Sequence, residues 1–115
     1  GLIGLVPHLE DRAAFVVVSP DSPETQRAFA KGRGWPFRMA SGANSGFTAA
    51  MGFESEEDGK TSLMPGYSTF HKGDDGSIVR IAHDFFGPGD LYCGLWHMFG
   101  ILKDGSNGWH PKFSY

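Results

Sequence analysis

The sequence predicts an α/β protein, and three observations carry that expectation. An apolar, β-rich run, a helix marked at both ends and a second strand follow one another early in the chain, the signature of a βαβ unit. A Gly/Asp turn then separates two strand-like segments, as in a hairpin. An apolar stripe at helical spacing comes last, Leu91, Leu95, Met98 and Leu102.

Taken in order, Leu2, Leu5, Val6 and Leu9 fall near one helical stripe, so a short helix is expected there with Pro7 in its first turn. Ala13 to Val18 (AAFVVV), closed by Ser19-Pro20, reads as a strand covered on both faces. Ser22-Pro23-Glu24 supplies an N-cap, a proline at the first helical position and an acid at the positive end of the dipole. Gly34 before Trp35-Pro36 supplies the stop, and a strand from Phe37 to about Ala40 follows. Ser41 to Gly46 reads as a loop before a short helical stretch, Phe47 to Met51. Glu54 to Asp58 reads as a solvated acidic loop, since it lacks the spaced oxygen ligands and central glycine of an EF-hand. Pro65 introduces one hairpin strand, Gly66 to Lys72, and Asp75-Gly76 leads to the other, Ser77 to His83. Gly87-Pro88-Gly89-Asp90 caps a helix from Leu91 to about Leu102, whose stripe is expected to pack on a sheet.

Composition narrows the function. The 115 residues hold 10 Lys and Arg against 13 Asp and Glu, with 40% hydrophobic and 14% aromatic residues. That fits one globular domain, residues 1–115, and not a disordered acidic tail. A formal charge of −3 gives no footprint for nucleic acid, and no apolar run is long enough to span a bilayer. A single cysteine, Cys93, excludes an internal disulfide, a four-thiolate zinc site and two-cysteine redox cycling within these residues. Gly1 stands where a methionine would start a chain, and no signal-peptide pattern follows, which points to a processed, trimmed or fragmentary chain. The compartment stays open between cytoplasmic and secreted after processing.

The order helix, strand, helix, strand, hairpin, helix resembles the later part of a thioredoxin-type domain. Met64-Pro65 ahead of Gly66-Tyr67-Ser68-Thr69-Phe70 is similar to the proline-then-hairpin segment of thioredoxins. The segments VPHLEDRAAFVVVS, RGWPFRMAS, MPGYSTF and HDFFGPGDLYCGLWHMF resemble a thioredoxin-like family of bacteria and fungi, the domain of unknown function 899 type. That family has no established common activity, so the resemblance implies a fold rather than a reaction: a truncated thioredoxin-like domain with a mixed sheet flanked by helices and a C-terminal hairpin plus helix. It further implies that the first strand and the redox-motif segment are missing. That strand would lie between the Ala13–Val18 and Tyr67–Lys72 strands. Either these two close up and pair directly, or a second chain supplies the pairing, because an open central edge is an aggregation hazard.

Four residues are candidates for binding. Cys93 and His97 lie four apart on the expected last helix, a spacing that would let them share a face, with His83 as a possible further ligand. A core thiol is the plainer reading, no metal site or cofactor is expected, and His8, His71 and His110 show no convergent spacing. Pro65 is implied by the resemblance to be cis, a groove-shaping residue in redox relatives and here a fixed start to the hairpin. Trp109, if exposed, would be an interaction anchor. The expected function is a non-catalytic binding or interaction domain that engages a protein partner or itself as a homodimer. A small processed cytotoxic or antimicrobial protein and a single-Cys or His-assisted thiol or metal enzyme are the alternatives.

Overall fold

A computed structural model describes all residues, 1–115. The chain starts with α1 (Val6–Arg12), which carries Pro7 in its first turn where a missing N–H costs nothing. It continues through β1 (Val17–Ser19), α2 (Pro23–Arg33) and β2 (Met39–Ser41). Strands β1 and β2 pair in parallel, Val17 opposite Met39 and Ser19 opposite Ser41, with α2 as the crossover. The ends of α2 follow from local chemistry. Ser22 accepts a hydrogen bond from the Thr25 N–H at 3.2 Å. Gly34 at φ 64° closes a Schellman turn, in which the Trp35 N–H donates to Ala30 and the Gly34 N–H to Lys31.

A short α3 (Phe47–Ala50) leads into β3 (Glu54–Glu57) and β4 (Lys60–Leu63), an antiparallel hairpin with Glu57 opposite Lys60. The expected acidic loop is therefore a strand. Asp58 and Gly59, at φ 51° and 73°, form a two-residue turn with both central residues left-handed, the geometry that twists with flanking strands. A second hairpin follows, β5 (Gly66–Lys72) and β6 (Ile78–Phe85), with Gly66 opposite Phe85 and Lys72 opposite Ile78. Ile81 has no partner in this register and forms a bulge, since Thr69 pairs with Ala82 and Phe70 with Arg80. The last helix, α4 (Gly94–Gly100), is shorter than the expected Leu91–Leu102. Its start follows Cys93, which is extended at φ −113°, ψ 104° and interrupts the helical path after Leu91 and Tyr92.

The α/β class stands, but the strands form three separate two-stranded sheets in place of one mixed sheet. Strands β1 and β5 do not pair, so the first of the two expected ways of closing the sheet does not occur. The consequence is an open molecule. Its radius of gyration is 16.4 Å, against about 13 Å for a compact chain of this length. Its accessible surface is 9134 Å², against about 6,200 Å² for a compact monomer of this mass. Val6, at 3% exposure, is the one buried hydrophobic residue. The run expected to be covered on both faces is open on one, with Val16 51% and Val18 37% exposed.

Candidate functional site

The start of the β5–β6 hairpin gathers several of the residues singled out above. Pro65 is exposed and its peptide bond is trans, so the implied cis bond is absent. Its carbonyl accepts from the Phe86 N–H at 2.9 Å, which clamps the root of the hairpin. The next residue is a glycine for steric reasons. A Cβ on Gly66 would run into the Phe53 ring and the Asp84 carbonyl oxygen. Phe53 packs edge-on against Phe85 at 5.4 Å and lies under the Arg80 guanidinium at 5.8 Å. Arg80 in turn donates to the Ser68 hydroxyl and to the Met51 carbonyl, tying the hairpin to the end of α3.

Beside this root lies a polar cluster of Tyr67, Asp84, Tyr92 and Asp90. Tyr92 donates its hydroxyl proton to Asp84 Oδ2 at 2.7 Å, so Tyr67, whose hydroxyl lies 2.8 Å away, is the donor to Tyr92. The hydrogen bonds from Tyr67 and to Asp84 hold the Tyr92 hydroxyl well above its usual range, keeping it protonated. The same contact with Tyr92, with the Phe85 N–H, holds Asp84 below the usual carboxylate range. Asp90 is also held low, first by the Gly87 N–H and then by those of Tyr92 and Cys93. Near neutral pH these protons have fixed owners. The cluster acts as a scaffold that binds the loop before α4 to the hairpin.

Cys93 joins this cluster only through its backbone. It is half-buried and extended (φ −113°, ψ 104°) as the N-cap residue of α4, not a helical residue. The shared-face argument for Cys93 and His97 therefore does not apply, because it requires both residues to be helical. His97 is exposed in α4, and no three His, Cys, Asp or Glu side chains converge as metal ligands. Trp109 is half-buried rather than exposed, packing against Trp96 at 5.6 Å and Phe99 at 5.0 Å. Sequence reasoning missed the Tyr67–Tyr92–Asp84 link. Asp90 after Gly-Pro-Gly signals only the local bonds to backbone N–H groups, and no local signal points from Tyr92 to Tyr67 or Asp84.

The apolar surface is the other feature of the site. The α4 stripe expected to pack on a sheet is open, Leu91, Leu95, Met98 and Leu102 all being exposed. The hairpin exposes Phe70, Ile78, Val79 and Ile81. An open cleft of about 430 Å³ runs along the end of β1, lined by Ala14, Phe15, Val16, Arg38 and Met39. The far side of the β1–β2 pair is better covered. There Phe15 meets Phe37 at 5.8 Å, Phe37 meets Trp35, and Trp35 meets Phe29 of α2. Buried side-chain polar atoms are all hydrogen-bonded. No helix is long and apolar enough to cross a membrane.

No protein-family model, curated protein or solved structure matches this chain.

Proposed function

We propose that the chain is a thioredoxin-like binding domain, one that engages another polypeptide without two-cysteine redox chemistry. The observation that carries this reading is the accessible surface of 9134 Å² with one buried hydrophobic residue. Large exposed apolar faces rimmed by satisfied polar groups are what protein-binding surfaces offer. The parallel βαβ unit and, after α3 and the β3–β4 hairpin, the β5–β6 hairpin followed by α4 support the thioredoxin-like part. The lone Cys93 supports the absence of dithiol chemistry within these residues.

The test is peptide display against the chain immobilised sparsely enough that copies do not meet. Enrichment of extended, β-branched and aromatic sequences is expected, because open strand edges add strands and apolar faces select alternate side chains. A folded chain that enriches no sequence class overturns the reading. In a disulfide-reduction assay the chain is expected to add nothing to the rate of the reductant alone, and turnover above that rate overturns the non-redox part.

A further inference from the structure

We infer that the polypeptide this domain engages is a second copy of itself, joined antiparallel along the free edge of β1 about a two-fold axis at Val16. This rests on the reading of the chain as a binding domain and names its partner. Strand β1 pairs with β2 on one side and has no strand paired to it on the other. Ala14 to Val16 lead into it from the extended Ala13 (φ −153°, ψ 156°), outside any helix and with no strand paired to them. The Val17 N–H donates to Arg38 and the Ser19 carbonyl accepts from Gly42, so residues 17 and 19 turn their backbone groups toward β2. By strand alternation, Ala14, Val16 and Val18 turn theirs toward the free edge.

A two-fold at Val16 uses all three. Val16 then lies opposite its own copy and Ala14 opposite Val18, each pair exchanging two hydrogen bonds. Residues directly opposite share a face. Phe15 therefore meets Val17 of the second copy on the face that α2 half covers, while Val16 meets Val16 and Val18 meets Ala14 on the open one. The β2–β1 pairs of the two copies become one four-stranded sheet.

Charge and area favour a second copy over other occupants. Ala13 to Ser19 contains no charged residue, so self-pairing places no like charges opposite each other. Strands β3 and β6 lack this property, with Glu54, Glu56 and Glu57 in one and Arg80, His83 and Asp84 in the other. The surface exceeds that of a compact monomer by about 2,900 Å², more than three times the roughly 800 Å² that each partner contributes to a standard stable interface. A single peptide strand laid on the edge would leave most of that excess open. A whole second chain brings helices and faces as well as an edge.

The test is the mass in solution by sedimentation equilibrium, for the wild type and for Val16→Lys. The wild type is expected at the mass of two chains. Val16→Lys, at a half-exposed position where a lysine is tolerated by the isolated fold, is expected at the mass of one with an unchanged circular dichroism spectrum. As a second measurement, Val16→Cys is expected to form a disulfide between the two position-16 residues on mild oxidation, identified by peptide mapping, while Lys60→Cys on β4 does not. A wild type that stays at one chain to the highest concentration reached overturns the second copy. If sparsely immobilised chain still enriches peptides in that case, and Val16→Lys loses them, the binding reading stands and only the identity of the partner falls. If it enriches none, both fall. A two-chain wild type whose mass Val16→Lys leaves unchanged overturns the β1 edge as the interface.

Discussion

The β1–α2–β2 unit and the β5–β6 hairpin are held together by opposite means. In the first, one buried amide joins three elements. Gln26 of α2, 5% exposed, donates from Nε2 to the Ser19 hydroxyl at 2.8 Å and to the Ala40 carbonyl at 3.0 Å, stitching the helix to both strands. In the second, the hold is a root of aromatic rings and tyrosine hydroxyls contributed by four separate segments, around Phe53, Tyr67, Phe86 and Tyr92. The unit closes within one continuous stretch, Val17 to Ser41, and leaves an edge free, whereas the hairpin draws in distant residues at its root and leaves its tip bare. Both regions leave apolar surface open, and the first also leaves one edge of β1 without a strand partner.

The sharpest way to break this comparison is at the hairpin root. Gly66→Ala places a methyl group against the Phe53 ring and the Asp84 backbone at once, and backbone cannot step aside as a flexible side chain would. Destabilisation at the upper end of the roughly 1–3 kcal/mol typical of overpacking is expected, read from the urea midpoint. Loss of the Phe53–Phe85 and Tyr67–Tyr92 packing should appear in the aromatic circular dichroism, with the amide protection of Ala40 and Gly42 unchanged. An unperturbed midpoint would mean that the root is not packed as described.

The matching change in the other region is Gln26→Leu. It preserves volume but leaves the Ser19 hydroxyl without its donor and removes the second donor of the Ala40 carbonyl, a loss of about 1–2 kcal/mol. Faster amide exchange at Ala40 and Gly42 is expected, with the hairpin signals unmoved. Loss of protection in both regions together would show that they fold as one cooperative unit.

What could be read from the sequence follows the same divide between local and distant. Helix α2 was legible to the residue because Ser22, Pro23 and Gly34 act on backbone groups within a few positions. The β5–β6 hairpin was legible from Asp75-Gly76. The β3–β4 hairpin carries the same dipeptide at Asp58-Gly59, but four acids in five positions outweighed the turn signal and suggested a loop. The Tyr67–Tyr92 bond spans 25 positions, and nothing in either residue's neighbourhood names the other. Apolar periodicity likewise says which face of a strand or helix seeks cover, but not what provides it. For this reason β1 and the α4 stripe read as buried although both lie open.

The smallest effect expected is one of pH, and it separates the two regions by chemistry. Asp84 and Asp90 are held below their usual range, so their contribution to stability is complete above the unfolded carboxylate value of about 4 and is lost as pH falls through the lowered values. Tyr92 is displaced the other way. Its contribution is complete below the unfolded tyrosine value of about 10 and is lost as pH rises toward the folded one. The contacts that hold the β1–α2–β2 unit come from an amide, a hydroxyl and carbonyls, none of which titrates in this range. Asp84→Asn keeps an oxygen to accept from Tyr92 and removes the charge that makes the contact strong. Tyrosinate absorbance should then show Tyr92 ionising closer to the ordinary value, and the urea midpoint should lose part of its dependence on pH at both extremes. All three groups are exposed to solvent screening, so the change should remain below that of either packing variant. A Tyr92 titration unmoved by Asp84→Asn would assign its raised value to Tyr67 alone, and the hairpin root would then be held by its rings rather than by its charge.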